Sequence, residues 1–160
     1  MKLLLVYFVF LFGQPGTDLA TIRENFKKSA DSKAAADDFY TSLQAYNKSN
    51  VTILGYQASS KMVKARYEKG KEKKKKLFTE GAKVLAELID SNPSNVEIRL
   101  IRLAMQEHSP KVLKYKSEIA NDKSEIIALY SKQTSGLKSL IKDYVNQSKV
   151  FSEVEKKKLN

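Results

Sequence analysis

The chain contains no cysteine, one histidine, three prolines and only four arginines among its 29 basic residues. Without cysteine there is no disulfide, no thiolate metal site and no lipidated first cysteine, so the fold must be held by packing alone. His108 stands by itself in Gln106-Glu107-His108-Ser109. It has no second histidine or cysteine with which to complete a zinc set or a nucleophile–base pair, and it reads as a polar helix end. The glycines Gly13, Gly16, Gly55, Gly70, Gly81 and Gly136 form no phosphate-cradling loop. Acidic neighbours such as Asp37-Asp38, and Glu87 with Asp90, lack the flanking glycines, aromatics and partner carboxylates that tune a pKa for acid–base work. They read as solvated faces. No enzymatic activity, metal or cofactor is expected.

The scarcity of arginine also bears on partners. The formal net charge is +11 and lysine carries it, since only Arg23, Arg66, Arg99 and Arg102 are arginine. Guanidinium forks are the usual readers of phosphates and base edges, whereas scattered lysines with acidic neighbours chiefly keep a helix surface wet. Nucleic-acid readout is therefore disfavoured.

Long apolar runs are missing too. Met1-Lys2 precedes ten apolar residues, 3–12, and Gly13-Gln14-Pro15-Gly16 ends the run. A spanning helix needs about 20 apolar residues, so a short cationic head with this run reads as a secretion signal over residues 1–16. A cysteine-free exported chain fits the bacterial periplasm or exterior better than a eukaryotic secretory route, where small domains are disulfide-dense. With 160 residues and 42% hydrophobic content, the remainder, 17–160, suits one domain and a monomer.

No stretch alternates apolar and polar residues long enough for a sheet, and the class expected is all-α. The organising stretch is 77–105. Leu77, Phe78, Gly81, Val84, Leu85, Leu88 and Ile89 recur at helical offsets, Ser91-Asn92-Pro93 forces a reversal, and Ser94 with Glu97 offers a capping box to the next helix. Upstream, helices are expected over 18–30 with Asp18 as cap, over 32–47, and over 51–68, where Gly55, Ala58 and Ala65 permit a close neighbour. Lys69-Gly70-Lys71-Glu72-Lys73-Lys74-Lys75-Lys76 is expected as a frayed, solvated lead-in, because cations at a helix start oppose its dipole. Downstream, Ser109-Pro110 reads as the start of a helix over 111–130 that Asn121-Asp122 can divide. Thr134-Ser135-Gly136 reads as a linker, a helix follows over 137–147, and Ser152 with Glu155 caps a short basic last helix.

A helix that ends near Asn92-Pro93, a short turn, and a helix opening on Asn95 and Glu97 with Ile98, Ile101 and Met105 at large apolar positions resembles the junction between tetratricopeptide repeats. The resemblance covers residues 51–105 and implies antiparallel helix pairs. The chain as a whole resembles a group of small, lysine-rich exported helical proteins of Bacteroidetes. That likeness implies location and fold, and no chemistry.

Two sets of residues remain as candidate sites. Arg99, Arg102 and Gln106 lie three and four apart on the fifth helix, where they line up to clamp a carboxylate of a partner or to pair with internal acids such as Glu87 or Glu118. Lys73, Lys74, Lys75 and Lys76 suit contact with anionic lipid or envelope polysaccharide, although the run has no interleaved large apolar residue with which to insert. The function expected is capture of a protein or peptide partner in the cell envelope. Attachment to the envelope surface through the lysine run is the alternative.

Overall fold

The computed structural model describes residues 18–159, and the expected signal segment lies outside them. Eight α-helices and two 3-10 turns follow one another, with no strand among the described residues. The helices are α1 (Leu19–Lys28), α2 (Lys33–Gln44), α3 (Val51–Tyr67), α4 (Lys71–Ser91), α5 (Val96–His108), α6 (Ile119–Leu129), α7 (Ser135–Gln147) and α8 (Glu153–Lys158). The 3-10 turns are Lys111–Leu113 and Tyr130–Lys132. The all-α expectation holds.

The architecture is set by α5, which is apolar on most of its circumference and therefore belongs at the centre. Its Ile98 and Ile101 join a core formed by α1 to α4, where Ile22, Phe39, Tyr56, Met62 and Leu85 meet. Its Val96, Leu100 and Leu103 face a second core, made with Ile126 of α6, Ile141 and Val145 of α7, and Phe151 and Leu159 at the chain's end. One helix thus separates two hydrophobic clusters and is buried by both.

Close approach of α3 to its neighbours depends on glycine. A Cβ on Gly81 would press into the Ala58 carbonyl oxygen and lie 2.6 Å from Met62 Cγ, and one on Gly55 would lie 2.8 Å from Ile98 Cγ2. These two residues let α4 and α5 pack directly against the α3 backbone.

Several helix starts follow the sequence pattern. Asp18 accepts from the amides of Ala20 and Thr21 at 2.9 and 3.0 Å, Ser32 from Ala35 at 3.1 Å, and Asn50 from Ile53 at 3.2 Å. The Ser152–Glu155 capping box is complete in both directions. Each such cap is worth about 1 kcal/mol.

Five local expectations are corrected. The cap of α5 is Asn95, whose Oδ1 accepts from the Glu97 and Ile98 amides at 3.1 and 3.3 Å, so the Ser94 box does not form. Glu97 turns inward, where Arg23 and Tyr56 are better partners for a buried carboxylate than an exposed amide. The lysine run is helical from Lys71: lysine is a good helix former, and extending a helix already packed from Leu77 onward costs little. Ser109-Pro110 ends α5 and starts no α-helix. Proline drives Ser109 to an extended φ of −75° and ψ of 138°, and after one 3-10 turn Lys114 takes a left-handed φ of 49°. Asn121-Asp122 lies within α6, and Thr134-Ser135-Gly136 supplies the cap and first turn of α7.

Candidate binding surface

Arg99, Arg102 and Gln106 do line up on α5, and a carboxylate does sit among them. It is the chain's own. Arg102 Nε and Nη2 donate to the two oxygens of Asp122 at 2.7 Å each, Arg99 Nη1 donates at 3.0 Å, and Gln106 Nε2 at 3.2 Å. Arg99 Nε is spent on the Pro93 carbonyl at 2.7 Å, and the Gln106 side-chain oxygen accepts from the Glu118 amide at 2.9 Å. Asp122 is 0% exposed and Arg102 is 6% exposed, so the set presents almost nothing to solvent. Burial presses the Arg102 pKa down, and the hydrogen bond and charge of Asp122 more than reverse it, leaving it above its ordinary value. Glu118 approaches Arg102 at 3.8 Å, while Glu87 pairs with Lys83 on the surface. The clamp is thus occupied from within.

Asp122 was the residue sequence reasoning missed, although a signal was there. It lies three residues after Ile119 and four before Ile126, on the apolar stripe of α6, where an acid needs a buried cationic partner.

Buried Glu97 and half-buried Glu107 are closed in the same way. Arg23 holds Glu97 through Nε and Nη2 at 2.7 and 2.6 Å, and the Tyr56 hydroxyl donates to it at 2.8 Å. Burial, together with the charge of Glu97, pushes the Tyr56 hydroxyl well above its ordinary value. Glu107 accepts from Tyr144 at 2.5 Å, from Ser148 at 2.8 Å and from the Lys149 amide at 2.7 Å. Burial alone would raise Glu107, but these three donors hold it below the usual carboxylate range. His108 is exposed, with Nδ1 2.9 Å from the Ala104 carbonyl oxygen. A polar cleft of about 190 Å³ between α1 and α7 has its Lys27 and Asp143 paired at 3.0 Å. Among the described residues, no three His, Cys, Asp or Glu side chains gather as metal ligands.

The lysine run behaves differently. Lys71, Lys73, Lys74, Lys75 and Lys76 are all exposed on the first two turns of α4. Only Lys76 has a carboxylate within reach among the described residues, Glu80 at 4.0 Å. At 100° per residue, Lys71, Lys74, Lys75, Phe78 and Ala82 share one face of the helix. That face borders a recess of about 420 Å³, lined by Lys75, Phe78, Thr79 and Ala82 from α4 and by Val112, Leu113 and Tyr115 from the turn after α5. The rings of Phe78 and Tyr115 meet edge to face, centroids 5.2 Å apart, and form its base.

Two adjacent apolar residues of this turn are exposed, Val112 at 84% and Leu113 at 41%. Lys111 and Lys114 flank them, both exposed and neither paired with a carboxylate among the described residues. The Tyr115 hydroxyl is buried without a hydrogen-bond partner, and burial pushes it up to about 12. No periodicity joins residues 71–82 to 111–115, so the recess was not legible before the fold placed them side by side.

No protein-family model, curated protein or solved structure matches the chain. Among the described residues no helix is long and apolar enough to cross a membrane.

Proposed function

We propose that this protein is an exported, non-catalytic helical module of the bacterial cell envelope that works by binding, with the start of α4 and the turn after α5 as its contact face. The ligand class favoured is an anionic envelope surface. The observation that carries this reading is the row of exposed lysines at Lys71, Lys73, Lys74 and Lys75, unpaired among the described residues and set beside exposed Val112 and Leu113. Ammonium groups without fixed partners suit diffuse arrays of phosphate, where no bidentate geometry is demanded. Three of the four arginines, Arg23, Arg99 and Arg102, are by contrast committed to internal carboxylates, which speaks against nucleic-acid readout as well as against capture of a partner at Arg99 and Arg102.

Export belongs to the same reading through the cationic, apolar residues 1–16, and tetratricopeptide-like stacking through the packing of α3 against both α4 and α5. A second reading, capture of a protein or peptide partner, is favoured by the concavity of the recess and the two rings at its base. Replacing Lys73, Lys74, Lys75 and Lys76 by glutamine separates the two. Sedimentation of the variant with phosphatidylglycerol vesicles should lose the preference over phosphatidylcholine that the wild type shows. Absence of any such preference in the wild type would sink the favoured reading.

A further inference from the structure

The lysine run of α4 contains no large apolar residue, so on its own it can adsorb to a charged surface but cannot enter one. The fold supplies what the run lacks. Val112 and Leu113 sit at the lip of the recess that Lys75 borders, on a turn that no helix continues. We propose that residues 110–114 form an apolar wedge that enters the head-group region of an anionic phospholipid bilayer, while Lys71, Lys74, Lys75, Lys111 and Lys114 contact the surrounding phosphates. This proposal rests on the surface-binding reading above and names its partner.

The charge pattern suits such a partner. Lys75 lines the recess from α4, Lys111 and Lys114 flank its Val112 and Leu113 in the chain, and the acids nearest to these lysines in the chain pair with none of them among the described residues. Glu72, three residues before Lys75, is exposed and forms no ion pair among the described residues, Glu107 is held by Tyr144 and Ser148, and Glu118 reaches Arg102 and Asn121. The wedge is also rigidly based. Pro110 fixes its entry, Lys114 leaves it through a left-handed conformation, and the Tyr115 ring locks against Phe78. A firm base spares the ordering cost that a floppy loop would meet on insertion.

A bilayer fits this surface better than an acidic peptide does. Val112 is 84% exposed at the edge of the recess, so a surface laid over the turn covers the protruding residue first. Insertion to the depth typical of interfacial segments, about 5–10 Å, would take in a turn of this length and leave the lysines at the level of the head groups.

The chain has no tryptophan, so one introduced indole reports without background. Val112→Trp is the probe, and Val154→Trp, at another exposed valine, on α8, is the control. Both are read in the full chain with vesicles of equal parts phosphatidylglycerol and phosphatidylcholine, and with phosphatidylcholine alone. The expected result is a blue-shifted emission, protected from acrylamide, for Val112→Trp on the anionic vesicles and none for Val154→Trp. Val112→Ser with Leu113→Ser should weaken anionic-vesicle binding at least about tenfold, since deeper burial of two apolar side chains is lost, with an unchanged circular dichroism spectrum.

An unshifted Val112→Trp emission, or undiminished affinity of the double serine variant, would overturn the wedge. If phosphatidylglycerol preference still depends on Lys73, Lys74, Lys75 and Lys76 in that event, the surface-binding reading survives its loss. If the wild type shows no such preference, both fall. Displacement of bound vesicles by a short acidic peptide that shifts the Val112→Trp emission by itself would also count against the wedge, in favour of peptide capture.

Discussion

Arg99 and Arg102 meet a carboxylate with no exposed surface, whereas Lys71, Lys73, Lys74 and Lys75 stand in water with no carboxylate partner among the described residues. Both regions looked like candidate sites, Arg99, Arg102 and Gln106 because they line up three and four apart on a helix, and Lys73 to Lys76 because they form an unbroken cationic run. They differ in the partner the fold provides and in the chemistry of the cation. A guanidinium fork can satisfy a buried carboxylate bidentately, and its planar head gives up water more readily than an ammonium does. The lysines keep their hydration and remain free for something outside the molecule. Net charge alone therefore says little about where a basic protein is ready to bind.

The sharpest way to break this contrast is to remove the buried carboxylate. Asp122→Ala leaves two guanidinium groups facing each other without compensation and should cost about 3–5 kcal/mol of stability. Urea denaturation would show it. A loss near zero would mean that the cluster is solvated and that Arg99 and Arg102 are available after all.

Gly81→Ala tests the packing on which the lysine face is built. The new Cβ meets the backbone of α3 at Ala58, which cannot rotate away, so a loss of about 1–3 kcal/mol is expected from the same denaturation curves. The α5 cap gives a smaller effect and a cleaner contrast between neighbours. Asn95→Ala should cost about 1 kcal/mol, and Ser94→Ala, which removes no helix-capping bond, should stay within about 0.5 kcal/mol of wild type.

Two half-buried carboxylates also give the fold a pH signature. Glu107 and Glu155 are both held below their ordinary 4.5, Glu107 by Tyr144, Lys149 and Ser148 against the effect of burial, and Glu155, to about 2, by the Ser152 amide and Lys123. A depressed carboxylate stabilises the fold fully above the unfolded value, and the gain disappears as pH falls from about 4.5 through the folded values. Thermal unfolding midpoints should accordingly drop as pH falls through that window. Glu107→Gln should flatten the fall, and an unchanged slope would remove Glu107 from this explanation.

How far the sequence showed these regions depends on whether the information was local. Apolar spacing marked α1 to α4, Asp18, Ser32 and Ser152 announced their own helix starts, and Pro93 its turn, because each acts on residues a few positions away. The helix placement of the lysine run was harder to see, since its support comes from the packed residues that follow Leu77. Ser94 was read as the cap because Glu97 stands three residues on, and the inward pull of Arg23 and Tyr56 on Glu97 leaves the role to Asn95. The Arg99–Arg102 clamp was half legible: its geometry came from helical spacing, and its occupant, Asp122, from an element 20 residues on. The recess was invisible, because Phe78 and Tyr115 meet only when α5 has been folded between them.

Binding of the Lys73→Gln, Lys74→Gln, Lys75→Gln, Lys76→Gln variant to phosphatidylglycerol vesicles, measured beside its denaturation curve, bears most directly on the division between inner arginines and outer lysines. Wild-type stability with the anionic preference gone is the expected outcome. A variant that keeps the preference, or that loses it only by unfolding, would contradict the division.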